Sequence, residues 1–335
     1  MPLRKKPSRR VFGPVLSRRL GYSLGADVLP FKTCDLDCVY CQLGRTTRKT
    51  LGRKPYVDGK EILDELASVL ADAGKLDHVS FSGSGEPTLN SELGAMIRGA
   101  KKLSRIPVVV ITNGTLLWDK DVQRDLMAAD AVLPSLDAAS VEVFERINRP
   151  VSGLPLAKVI EGLADFRKRY GGKLWLEVML VKGFNDSAEE LERIRDCIRR
   201  IRPDRVDINS SVRPSDEKAS PVSVGRLKKA KALFGPYAVI IGQARKAPPP
   251  ARQHLSRWRQ GTAACRREKA PRTGFSARAS AVKDIVLRRP VTAQDVRKSF
   301  GLKSAEASRL LEGLVEKGNA EAVRRSGGVY YRRKG

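Results

Sequence analysis

The stretch Cys34-Asp35-Leu36-Asp37-Cys38-Val39-Tyr40-Cys41 places three thiols within eight residues, four and three positions apart. One loop with this spacing can wrap three sulfurs round a common centre, and thiolates are soft ligands suited to iron–sulfur clusters or zinc. No fourth cysteine is near. Cys197 and Cys265 are isolated, and a lone cysteine is commonly a small buried apolar residue. Three thiolates on a four-iron cluster leave one iron open to a substrate or cofactor. Structural zinc asks for four protein ligands. The two histidines, His78 in a predicted strand and His254 in a predicted linker, have no paired spacing with the loop. Five cysteines, three of them bunched, also argue against a secreted disulfide framework.

Outward from the loop, short apolar runs alternate with amphipathic stretches. Strands are predicted over 26–29, 78–81, 107–111, 131–136, 174–180, 205–208 and 237–241, several rich in Val and Ile without alternation, as in buried parallel strands. Helices are predicted over 59–73, 156–170, 187–201 and 224–234. Repeated strand–helix units predict an α/β fold with a parallel sheet. Periodicity leaves open whether the sheet is doubly wound, a complete barrel or a partial one. The thiol loop follows the first predicted strand, at the strand end where α/β barrels place their chemistry.

Of the net charge of +27, the segments 1–19, 243–279 and 281–335 carry +7, +9 and +7. The basic charge therefore lies in the ends and a linker, which predicts a polyanionic partner; a solvated Arg-rich surface is the plainer reading. The expected organisation is a basic arm (1–19), a catalytic α/β body (20–242), a Pro- and Arg-rich linker (243–279) and a last domain (280–335). In the last domain, helices over 281–287, 291–300 and 304–317 precede a hairpin round Gly327-Gly328, with arms 320–325 and 329–332. That is the order of a winged helix-turn-helix. Leu310, Leu311, Leu314 and Val315 are expected in its core, and the chemistry of the thiol loop is expected to persist without it. No apolar run approaches the ~18 residues of a membrane span, and no signal-peptide core follows the basic N-terminus, so the expectation is a cytoplasmic protein.

With Tyr40 just before the last cysteine, the thiol loop resembles that of the radical S-adenosylmethionine (SAM) superfamily. The resemblance implies a partial (βα)6-like barrel and a [4Fe–4S] cluster on Cys34, Cys38 and Cys41. It implies that SAM chelates the open iron and is cleaved reductively to methionine and a 5′-deoxyadenosyl radical, which abstracts hydrogen from the substrate. A reducing partner such as flavodoxin or ferredoxin is implied too. Ser84-Gly85-Glu86-Pro87, ending the second strand, is similar to the family's GGEP segment, which binds the methionine end of SAM. At later strand ends the resemblance implies that Asn113, Ser135 and Asp137 contact the SAM carboxylate or ribose, and Tyr40 joins this cofactor set. Read without the family, Asn113-Gly114 is a turn, and Asp137 or Ser140 caps a helix over 138–147. Glu177, Asn209, Lys182, Asn185 and Arg213 are candidates on the substrate side.

The segments 12–21, 30–34 and 41–45 are similar to the radical SAM proteins grouped with the wyosine-base synthases, which modify tRNA. Archaeal members carry further N-terminal cysteines for a second cluster, whereas no cysteine precedes Cys34 here. The resemblance therefore implies the superfamily and not that ring-forming reaction. Three functions follow: radical modification of RNA, foremost tRNA; radical modification of a peptide or protein docked on the winged helix; or redox sensing by a nucleic-acid-binding regulator. The SAM-type segments speak against the last. Neither a Ser–His–Asp set nor a Walker loop is present.

Overall fold

The structure, a computed structural model, describes residues 9–215, 219–241, 275–325 and 328–334. Most of the predicted linker, with His254 and Cys265, lies outside the described residues. Elements run β1 (Val11–Ser17), β2 (Gly21–Ala26), β3 (Thr33–Cys34), β4 (Arg48–Lys49), α1 (Gly59–Asp72), β5 (His78–Phe81), α2 (Leu93–Leu103), β6 (Val108–Ile111), α3 (Lys120–Leu126), β7 (Ala131–Leu133) and α4 (Val141–Ile147). There follow α5 (Leu156–Arg169), β8 (Lys173–Leu180), α6 (Ala188–Ile201), β9 (Arg205–Ser210), α7 (Val224–Phe234), β10 (Ala238–Ile240), α8 (Phe275–Val286), α9 (Ala293–Phe300), α10 (Ser304–Glu316), β11 (Ala320–Arg325) and β12 (Gly328–Arg333).

Strand order settles what periodicity left open. The main sheet runs β1-β2-β5-β6-β7-β8-β9-β10, and from β2 onward every neighbouring pair is parallel. A doubly wound sheet reverses its order at a switch point; this one never does, so right-handed crossovers keep the helices on one side. Among the described residues β10 does not pair back to β1, which leaves an open, partial barrel. Alternate residues separate the two faces. Val108 and Val110 join the large core under the helices. Val109, Ala131 and Leu133 face the other way and pack on Leu20 from the turn after β1.

Two expectations shift. The strand expected over 26–29 is β2, at 21–26, so residues 27–32 form the approach to the thiol loop. The expected N-terminal arm ends in β1, which pairs antiparallel with β2. Phe12 presses on the glycine opposite: a Cβ on Gly25 would lie 2.1 Å from the Phe12 ring.

The last three helices and the β11–β12 hairpin pack against β1 instead of standing apart. Val15 shares a core with Val282, Ile285, Leu311 and Leu314. Ser299 Oγ accepts the Leu16 N–H at 3.1 Å, and Tyr22 Oη donates to Lys298 O at 3.2 Å. Local signals in this unit are strong: Thr292 and Asp295 form a reciprocal capping box on α9, and Gly301 ends that helix at φ 63°. Leu310, Leu311 and Leu314 are buried as expected.

One ion pair ties the unit to the barrel. Arg288 Nε meets Asp27 Oδ2 at 3.1 Å, and both side chains are almost fully buried. The same guanidinium lies 4.9 Å from the Phe12 ring centroid and donates to Asp284 O and Arg9 O. Removing one member of a buried pair strands the other charge, at a cost of about 3–5 kcal/mol. Arg288→Met is therefore expected to lower stability by about that much in a urea titration. Lys60→Gln, which breaks an exposed ion pair with Asp64, is expected to leave the midpoint unmoved.

Candidate active site

The thiol loop is anchored on both sides. Arg48 N–H donates to Lys32 O at 3.0 Å and Thr50 N–H to Cys34 O at 3.1 Å, as β3 and β4 pair. From the far side, Asp37 N–H reaches Asn148 O at 2.9 Å and Val39 N–H reaches Ile147 O at 3.0 Å. Leu36 and Val39 sink into the core, leaving Cys34, Cys38 and Cys41 as half-buried free thiols. Each sulfur has a nitrogen donor from a different segment. Lys32 Nζ lies 3.1 Å from Cys41 Sγ, Asn148 Nδ2 lies 3.4 Å from Cys38 Sγ, and Asn113 Nδ2 lies 3.8 Å from Cys34 Sγ.

Burial pushes the Cys38 thiol up to about 12 and the Cys34 thiol well above its usual range, with Asp35 and Glu86 adding to the latter. Burial works against the charge of Lys32 as well, yet the facing cysteines hold its pKa above the ordinary value. Among the described residues no three His, Cys, Asp or Glu side chains stand close enough to hold a single metal ion. Three sulfurs spread round one loop, each with its own donor, suit a cluster of several metal atoms, and hydrogen bonds to sulfur tune such clusters.

The segment from Gly83 to Glu86 runs alongside this loop. Lys32 N–H donates to Ser84 O at 2.6 Å and Glu86 N–H to Thr33 O at 3.1 Å. Gly85 makes the approach possible, since a Cβ there would sit 1.8 Å from Thr33 O. The Glu86 carboxylate is fully engaged within the protein. It accepts from Thr88 N at 3.0 Å and from Thr88 Oγ1, Thr112 Oγ1 and Asn113 N, each at 2.6 Å. Burial, with Asp35 beside it, raises Glu86 to about 7. Asp35 in turn accepts from Asn113 Nδ2 at 2.5 Å and from Thr115 Oγ1. Ser84 donates through its N–H and hydroxyl to Asp27, at 3.0 and 2.6 Å.

On the other flank Tyr40 Oη donates to Asp137 Oδ2, which also accepts from Asn148 Nδ2 at 3.1 Å, while Oδ1 accepts from Met179 N at 2.8 Å. A small cleft brings together Asn113, Ser135, Asp137 and Asn148 with apolar Leu136 and Phe144. Ser140 occupies the N-cap position of α4, but no side-chain cap bond is made there, and its Oγ turns to Glu190 at 2.7 Å.

Of the substrate-side candidates, Glu177 pairs with Arg19, and Arg213 Nη1 donates to Gln42 Oε1 at 3.4 Å. Asn185 is structural, bridging Asp137 O, Met179 O and Val181 N. Lys182 is exposed and Asn209 is buried. Sequence reasoning missed Lys32, Asp27 and Asn148. Only the position of Lys32 two residues before Cys34 offered a signal; the other two touch the site through long-range packing.

The chain belongs to the radical SAM superfamily, whose family model matches residues 28–197. A [4Fe–4S] cluster and SAM are accordingly its cofactors. The chain is 36% identical over 315 residues, 94% of its length, to a Brachyspira hyodysenteriae protein named GTPase Obg, and spans 44% of that relative. It is 34% identical over 235 residues to UPF0026 protein MJ1312 of Methanocaldococcus jannaschii, covering 69% of this chain and 72% of that one. A Synechococcus protein named probable dual-specificity RNA methyltransferase RlmN is 29% identical over 161 residues, 46% of this chain and 43% of the relative. The crystal structure of a radical SAM methyltransferase from Sphaerobacter thermophilus shares the fold at TM-score 0.51 and 18% identity, over 65% of each chain. No helix among the described residues is long and apolar enough to cross a membrane.

Cys34→Ala, Cys38→Ala and Cys41→Ala are each expected to abolish cluster uptake, measured as iron and sulfide after anaerobic reconstitution. Cys197→Ala, on α6, is expected to load fully. Stoichiometric zinc without iron in the unmutated protein would refute this assignment.

Proposed function

We propose that this enzyme carries out a radical modification of RNA, with tRNA the foremost candidate. Cys34, Cys38 and Cys41 hold the cluster, and Gly85 lets the backbone beside the loop come close to the methionine end of SAM. Tyr40, Asn113, Ser135 and Asp137 line the side that takes the rest of the cofactor. Ser84 and Glu86 act by holding that backbone in place, because their side chains are bound within the protein. When bound, the cluster would supply an electron for reductive cleavage of SAM, the source of the radical chemistry on the substrate. The chain's own work is to fix the sulfurs, seat the cofactor in a largely buried polar network and bring the substrate to the open side of the barrel.

The observation that carries the RNA reading is the basic outer face of the C-terminal unit, read as a winged helix. Lys303 at the start of α10, Arg309 on it, and Arg324 and Lys334 on the hairpin are exposed, where a recognition helix and wing would meet a phosphate backbone. The similarity to the relative named an RNA methyltransferase supports the same reading. Not all of the hairpin's charge is available: Arg332 Nε pairs with Glu321 at 2.7 Å, and Arg333 lies 4.1 Å from the Phe31 ring centroid.

The test uses the full-length, cluster-loaded protein, because the C-terminal unit is part of the barrel's packing. Its affinity for total tRNA is expected to fall steeply as salt rises and to exceed that for duplex DNA and peptides. The variant Lys303→Gln/Arg309→Gln/Arg324→Gln is expected to flatten the log K against log salt slope by about two to three. Equal, weak binding of both proteins to every nucleic acid would sink the RNA reading and favour a peptide substrate. Asp137→Ala is expected to weaken SAM binding by about one to two decades, the cost of one charged hydrogen bond, with iron content unchanged. Unaltered SAM affinity would mean the cofactor lies elsewhere.

A further inference from the structure

On the helix-free face of the sheet, beside the thiol loop, positive charge exceeds the carboxylates that balance it. Arg18 and Arg19 in the turn after β1, Arg213 in the loop after β9, and Arg289 between α8 and α9 all lie within electrostatic reach of one another. Three carboxylates offset them in part. Glu177 pairs with Arg19. Asp295 is already held by α9, its Oδ2 accepting the Thr292 N–H at 3.0 Å. Asp207 reaches Arg19 as well, but its oxygens grip Arg205 at 2.7 and 2.8 Å.

Among the described residues no carboxylate stands within ion-pair distance of Arg18, Arg213 or Arg289. The Nε of Arg289 is buried without a hydrogen-bond partner. Arg18 is exposed, and the other three are half-buried, so the cluster is open to solvent at one end. Burial, then the facing Arg213, lowers Arg289 to about 9. Burial also lowers Arg19 to about 10, against the pull of Asp207. Like charges crowded away from water repel strongly. An orphaned buried donor adds its own cost. Both costs fall when an anion with several oxygens enters, and guanidinium forks match the oxygens of phosphate. Through Gln42, Arg213 places this cluster one residue from Cys41.

We propose that Arg18, Arg19, Arg213 and Arg289 form a phosphate site that seats a backbone phosphate of the substrate RNA beside the thiol loop. The identity of the phosphate's carrier rests on the function proposed above; the site itself rests on the arginine cluster. Distant charges on the C-terminal unit would then attract the RNA, and this site would fix its register against the reacting centre.

The first arm of the test measures the Tm of the full-length, cluster-loaded protein in inorganic phosphate and in chloride at matched ionic strength. Phosphate is expected to raise the Tm, and Arg213→Gln/Arg289→Gln to abolish the gain. In the second arm, tRNA binding by that double variant is expected to lose about tenfold or more in affinity at low salt, and its log K against log salt slope to flatten by about one to two. Arg213→Lys/Arg289→Lys keeps the charge and removes the fork, so it is expected to keep the slope and lose part of the phosphate gain. A phosphate gain abolished in the double variant, with no tRNA binding by either protein, retains the site and removes RNA as its ligand. No phosphate gain in the unmutated chain, with tRNA affinity and slope unchanged in the double variant, overturns the site.

Discussion

A carboxylate shut away from water must find a cation and enough donors, and Asp27 meets that demand in a way that organises the whole molecule. Its cation, Arg288, comes from 261 positions further along the chain. Its remaining bonds come from the N–H and hydroxyl of Ser84. The end of β2, the glycine-rich segment beside the thiols and the C-terminal unit are thereby held by one side chain. Burial of this pair makes it costly to break on either side. The C-terminal unit is thus a structural neighbour of the cofactor segment, and treating it as a detachable appendage misreads the packing.

The same principle recurs round the loop itself. Asp35, Glu86 and Asp137 are buried carboxylates whose donors come from Thr112, Asn113 and Thr115 after β6, from Tyr40 in the thiol loop and from Asn148 at the end of α4. Each backbone or side-chain donor is unavailable to water and must be satisfied inside. The result is a rigid polar frame in which the loop cannot shift without breaking several bonds at once. A frame of this kind keeps three sulfurs at fixed separations.

Charge is distributed differently from what the sequence totals imply. The ends of the chain are basic, but part of that charge turns inward. Arg288 is buried in an ion pair, Arg289 faces Arg18, Arg19 and Arg213, and Arg332 and Arg333 have partners within the chain. The exposed remainder on α10 and the hairpin is smaller than a count of Lys and Arg gives.

By itself the sequence determined the elements whose causes are local. The Val-Val-Val-Ile run of β6, the Ser187 and Ser223 caps of α6 and α7, and the Thr292–Asp295 box of α9 act within a few residues. The three-thiol loop is local too, so it and the α/β pattern were legible. The tertiary structure alone decided the order of the strands, the packing of β1 and the partners of the buried charges. It also made Glu86 a bonded strut within the frame and gathered arginines from three segments on one face. These depend on contacts tens to hundreds of residues apart, where burial selects partners by charge and reach, and neither leaves a period or spacing in the chain.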